Sequence, residues 1–160
     1  MLGQRTPLNF EARLKIGKEF EESVSTFLTS QGWPIKLYFS ATGQWEWGES
    51  AAHVEIKFDR RLEETGNAFI ETRERRDDTG LSQWRAAGIY DASEPWFYLI
   101  GNDYDIWLLS VRWLDLMKRS NKYQERTTAT SEGFLIPRTL LDKTAIKHWN
   151  KWKRADEHLA

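Results

Sequence analysis

The sequence predicts an α/β protein in which a mixed β-sheet is flanked by helices. Three observations carry that expectation. Segments with helical spacing open and close the chain, short alternating or wholly apolar runs lie between them, and glycine-bearing turns separate the runs. The expected order is α-β-β-β-(α)-β-β-α, held in residues 1–160 as one domain.

The first element is a helix over 9–30, "NFEARLKIGKEFEESVSTFLTS", ended by Gly32 and Pro34. Phe10, Leu14, Phe20, Val24, Phe27 and Leu28 recur along one face, and Glu21 shares that side with Gly17 and Val24. Residues 34–40, "PIKLYFS", read as a first strand, and "ATGQWEWGES" turns the chain. "AAHVEIKFD" is a second strand, "DRRLEETGN" a connection and "NAFIETRE" a third strand, so that a meander follows the helix. Residues 73–95 are expected to be a loop with one short helix at 81–87. "WFYLIG" is continuously apolar, as a strand buried on both faces should be. "YDIWLLS" is its neighbour, and residues 111–120 have helical spacing. Residues 120–133 read as loop, "FLIP" as a short final strand, and 138–158 as a basic C-terminal helix.

Composition narrows the class. Forty per cent apolar and 14% aromatic residues are enough for a packed core, which argues against wholesale disorder. With no cysteine, a disulfide scaffold, a thiolate zinc site and a cysteine nucleophile are all excluded. A net charge of −1 is not that of a basic coat protein, although a local basic surface can still attract nucleic acid. No apolar run suits a signal peptide or the roughly 20 residues of a membrane span. A cytoplasmic protein with no membrane partner is the expectation. Phosphate-binding, dinucleotide and serine-hydrolase signatures do not occur.

The strand "HVEIKFD" carries the chemistry. Val54, Ile56 and Phe58 alternate with His53, Glu55 and Lys57, so that a carboxylate and an ammonium share one face. A carboxylate there can hold Mg²⁺, while an ammonium can position water and offset charge on a phosphate. Ile56 turns its side chain to the core and leaves its carbonyl as a further ligand. Glu46 and Glu49 precede the strand, and extended geometry from Glu49 onward would place it with Glu55 and Lys57. Glu71 follows on the next strand, as a further acid or as an ion-pair partner of Lys57. A Glu-x-Lys triplet alone equally describes a solvated strand face. One histidine nearby does not make a zinc site.

The combination "WGES…HVEIKFD…ETGNAFIET" resembles the PD-(D/E)XK nuclease superfamily. It is similar to phage and bacterial members in which E-[IV]-K-[FY]-D leads into T-G-N-x-x-I-E. The resemblance runs over about 17–117 and takes in "AAGIY" and "WFYLIGND". It implies a restriction-endonuclease-like fold and Mg²⁺- or Mn²⁺-dependent hydrolysis of DNA phosphodiesters in a bacterial or phage-infected cell. Glu55 and Lys57 match its E-x-K, and Glu21 its helical glutamate. The family's leading acid is usually an aspartate on the preceding strand. None stands there in this chain, so Glu49 takes that place, with Glu46 as the alternate.

The resemblance thus implies catalysis by Glu21, Glu49, Glu55 and Lys57, with the metal on Glu49, Glu55 and the Ile56 carbonyl. Arg60, Arg61, Arg73, Arg75 and Arg76, at the strand ends, are the candidates for phosphate contact. Acids beside them also suit local salt bridges. In the last helix Lys143, Lys147 and Lys151 would form a basic stripe, or simply the outer face of a packed helix. A homodimer would serve cleavage of both strands. The missing aspartate motivates an alternative, a DNA-binding module of the same fold without turnover. A protein-interaction domain is the third reading.

Overall fold

The computed structural model describes residues 9–33, 54–76 and 80–153. The expected first strand at 34–40 and the acidic turn after it, with Glu46, Glu49 and His53, lie outside these residues.

Helix α1 spans Phe10–Ser30, and the Asn9 side chain caps it by accepting from the Ala12 N–H at 2.8 Å. Its stripe is narrower than the sequence suggested. Phe20, Val24, Phe27 and Leu28 are buried, but Leu14 is exposed. Strand β1, Val54–Phe58, comes next among the described elements. A single turn of helix, α2 at Leu62–Thr65, then leads into β2 at Asn67–Glu74.

Here the expected meander fails. β1 and β2 follow one another in the chain but belong to different sheets. Asp59 is the physical reason. Its Oδ1 accepts from the Arg61 and Leu62 N–H groups, and its Oδ2 accepts from the Phe69 N–H at 2.9 Å. Gly66, left-handed at φ 67°, completes the change of direction. One carboxylate therefore starts α2 and fixes where β2 begins.

The helix expected at 81–87 is also absent. Arg85–Ala86 form a two-residue strand, β3, antiparallel to β2, and Gly88–Tyr90 make one 3₁₀ turn. Strand β4, Phe97–Gly101, and strand β5, Asp105–Ser110, lie where the sequence placed them. Helix α3 covers Val111–Arg119, with Ser110 as its N-cap. The stretch expected as loop contains a hairpin of β6, Glu125–Thr127, and β7, Ser131–Pro137. All three β6 residues are exposed, and an edge strand that buries no side chain leaves no apolar pattern to read.

The C-terminal helix is corrected most. Helix α4 is only Arg138–Thr144; Ala145 is extended, and Lys147–Asn150 form β8 against β5. Trp152 is then buried beside Phe20 and Phe27, with its Nε1–H donating to the Asn102 carbonyl at 2.8 Å. Burying that indole and pairing the β5 backbone outweigh local helix propensity. Lys143, Lys147 and Lys151 consequently do not share a helix face.

The described strands form two four-stranded sheets. The first, in order β1-β4-β5-β8, is mixed, because β1 runs parallel to β4; the second, β3-β2-β7-β6, is antiparallel. α1 covers one face of the first sheet through Ile56, Leu99, Ile106 and Leu108. The other face packs on the second sheet, where Tyr98, Ile100, Trp107 and Leu109 meet Ala68, Ile70, Phe134 and Ile136. β4 and β5 are thus buried on both faces, which accounts for their continuous apolar runs. Among the described residues no helix is long and apolar enough to cross a membrane.

Candidate functional site

The alternation of β1 decides where its charges go. Ile56 packs toward α1, so Glu55 and Lys57 point the other way, in register with Tyr98 and Ile100 of β4. That face looks toward the second sheet, so the acid and the amine enter the intersheet space rather than lying on an open surface. The Lys57 Nζ stands 3.1 Å from Glu55 Oε1 and 2.8 Å from Glu71 Oε1. Lys57 is therefore the cation between a carboxylate of each sheet.

Glu71 stands just before an irregularity in β2. The pairing with β7 shifts between Glu71 and Arg73, and Ile70, Glu71 and Thr72 are buried in succession. The Ser131 hydroxyl donates to Glu71 Oε2 at 2.9 Å, and the Glu71 N–H meets the Tyr98 hydroxyl at 3.4 Å. Gly88 presses on the same residue. A Cβ at Gly88 would lie 2.1 Å from the Glu71 carbonyl oxygen, and its φ of 56° suits glycine. The 3₁₀ turn therefore clamps the Glu71 backbone, and only the smallest residue permits it.

The electrostatics follow from burial in a crowded field. Burial pushes the Lys57 pKa down, but Glu71 and Glu55 more than offset it and hold the ammonium well above its ordinary 10.5. Burial raises the pKa of Glu55, with Asp91 and Glu71 adding to the rise and Lys57 opposing it. Burial also raises that of Glu21, which lies in the fields of both Lys57 and Glu55. Tyr98 is fully buried, and its hydroxyl is held far above the ordinary tyrosine value by that burial. The result is a protonated amine beside two glutamates, Glu55 and Glu21, whose pKa values burial raises.

The structure therefore gathers Glu55, Lys57 and Glu71 and sets Glu21 within their field. Ile56 points its side chain into the α1 packing, as expected. Glu49 lies outside the described residues. Arg60 and Arg61 are exposed beside α2. Arg73 pairs with Glu132 at 3.3 Å; Arg75 donates to the Ala129 carbonyl at 2.6 Å and lies over the Trp84 ring at 4.6 Å. Arg73 thus ties β2 to β7 and Arg75 ties the end of β2 to the β6–β7 turn, rather than either contacting Glu55. Arg76 is exposed.

Tyr98, Asp91 and Ser131 were not singled out by the sequence. A tyrosine within an otherwise apolar, doubly buried run was the one available signal, since its hydroxyl must find a partner. Oxygen donors suit a hard cation. Among the described residues, however, no three acids or histidines are arranged to hold a metal ion. Glu55 is the described carboxylate that best fits that role, because Glu71 is already divided between Lys57 and Ser131.

Compared with known proteins, the chain matches no family model, no curated protein and no solved structure.

Proposed function

We propose that the chain is a metal-dependent nuclease of restriction-endonuclease-like architecture that hydrolyses DNA phosphodiester bonds. The observation that carries this reading is the placement of Lys57 between Glu55 and Glu71, with Glu21 in the same field. Crowded carboxylates around one amine are the arrangement expected where a cation and a phosphate are to be received.

Glu55 would hold Mg²⁺ or Mn²⁺ together with Glu49 and the Ile56 carbonyl. The bound ion supplies Lewis acidity and an activated water. Lys57 would orient or deprotonate the water and stabilise charge on the phosphate. Glu71, itself fixed by Ser131 and Gly88, positions the Lys57 ammonium. Glu21 completes the acidic wall. Arg60, Arg61 and Arg76 are the exposed arginines nearest in sequence to the two strands and would meet the DNA backbone. A homodimer would allow both strands to be cut.

A second reading is favoured by the same geometry. An amine already paired with two carboxylates also describes an internal brace between sheets, as in a DNA-binding module without turnover. Incubation with supercoiled plasmid separates the two. Nicking that requires Mg²⁺ or Mn²⁺, stops with EDTA and is lost in folded Lys57→Ala supports the nuclease. A folded protein that binds DNA and leaves every DNA form uncut supports the module.

A further inference from the structure

A cleft of about 730 Å³ opens beside the Glu55 end of the first sheet, between the 3₁₀ turn, the start of β4 and α3. It borders the start of the strand pair that carries Glu55. Phe97, on its wall, is paired with Val54, one step before the Glu55–Tyr98 pair. Asp91 lies on another wall.

The lining combines exposed rings with charges of both signs. Trp96 is 67% exposed and Tyr90 39% exposed. The Tyr90 hydroxyl donates to Asp115 Oδ1 at 2.6 Å, and Arg119 pairs with the same carboxylate at 2.9 Å, so the Tyr90 ring is held in place. Asp91 and Glu94 bring acceptor oxygens, and Arg112 an exposed cation.

We propose that this cleft receives an unpaired nucleobase of the DNA strand whose phosphate reaches Glu55 and Lys57, an inference that rests on the nuclease reading. Ring faces at the mouth are stacking surfaces, and only an unpaired base offers its π-face to them. Carboxylates repel phosphate but accept from base N–H groups, so the lining favours a base inside and the backbone outside. Arg112 is placed to meet that backbone. The substrate class is therefore single-stranded DNA, or a duplex with a frayed, flapped or flipped nucleotide.

The test is fluorescence anisotropy in EDTA with a labelled mixed-sequence single strand and with its blunt duplex. The wild-type protein should bind the single strand more tightly than the duplex. Trp96→Ala should weaken single-strand binding by about ten-fold and leave duplex binding unchanged, while Trp96→Phe keeps most of the affinity. Arg112→Ala, on the exposed lip, gives a separate reading, with a several-fold loss expected if Trp96→Ala does not fold. Equal affinity for both DNA forms, or single-strand binding indifferent to Trp96 and Arg112, overturns the proposal. Metal-dependent plasmid nicking that accompanies such indifference leaves the nuclease standing and removes the cleft. Ring-dependent single-strand binding without nicking does the reverse.

Discussion

Lys57 of the first sheet and Glu71 of the second are joined by a 2.8 Å ion pair, and Glu71 has only 11% of its side chain exposed. The pair crosses the space between the sheets, at the edge of a core that is otherwise apolar. It couples the candidate chemistry to the stability of the fold.

Removing the amine alone should therefore be costly. In Lys57→Met, Glu71 and Glu55 keep their burial and lose their cation, and the expected destabilisation is about 2–4 kcal/mol. Adding Glu71→Gln to that variant should recover part of the loss, because a neutral amide tolerates the site better than an unpaired carboxylate. Urea denaturation measures both. A double variant less stable than Lys57→Met would show that the pair is not the source of the cost.

The pH dependence has a definite sign. Glu55 and Glu21 have folded-state pKa values raised above their ordinary 4.5. The folded protein then binds more protons than the unfolded chain in the window that starts near 4.5 and ends at the raised values. Their contribution to stability is full below that window and is lost as pH rises through it. Glu55→Gln should flatten this part of the curve and stabilise the protein at neutral pH. Lys57 follows the same rule at the alkaline end, where its contribution is complete below 10.5 and fades as pH passes the raised value. Thermal unfolding across pH checks each limb; an unchanged acid limb in Glu55→Gln would count against the assignment.

Gly88 tests the clamp on Glu71. Gly88→Ala demands a positive φ and drives a methyl to 2.1 Å from the Glu71 carbonyl oxygen, where only backbone movement can relieve it. A loss of about 3 kcal/mol or more is expected, from strain and a displaced β2 together. Gly80→Ala is a suitable control, since that glycine also has a positive φ but its nearest neighbour, an Arg75 side-chain nitrogen, is 3.6 Å away. Equal losses in the two would attribute the effect to φ alone.

Much of the local structure was legible because it depends on near neighbours in the chain. The α1 helix, the Val54–Phe58 alternation and the unbroken apolar runs of β4 and β5 all follow from spacing. Glu55 beside Lys57 was legible for the same reason, since residues two apart in a strand must share a face. Edge pairing was not. Nothing in "ERT" or "RA" marks β6 or β3, whose partners are a neighbouring strand and charged side chains rather than an apolar face. The C-terminal segment misled because its charges and apolar residues suit a helix, and only the vacant side of β5 and the burial of Trp152 make a strand preferable.

The sequence by itself determined which side chains β1 presents to which face, and hence that an acid and an amine would stand together. What they meet was decided by tertiary structure. Asp59 sends β2 to a second sheet, the packing of the sheets brings Glu71 onto Lys57, and Gly88 lets the turn close on it. Side-chain alternation is a property of one strand. The partner of Lys57 depends on two sheets packing face to face, and the energy of that packing comes from residues far apart in the chain.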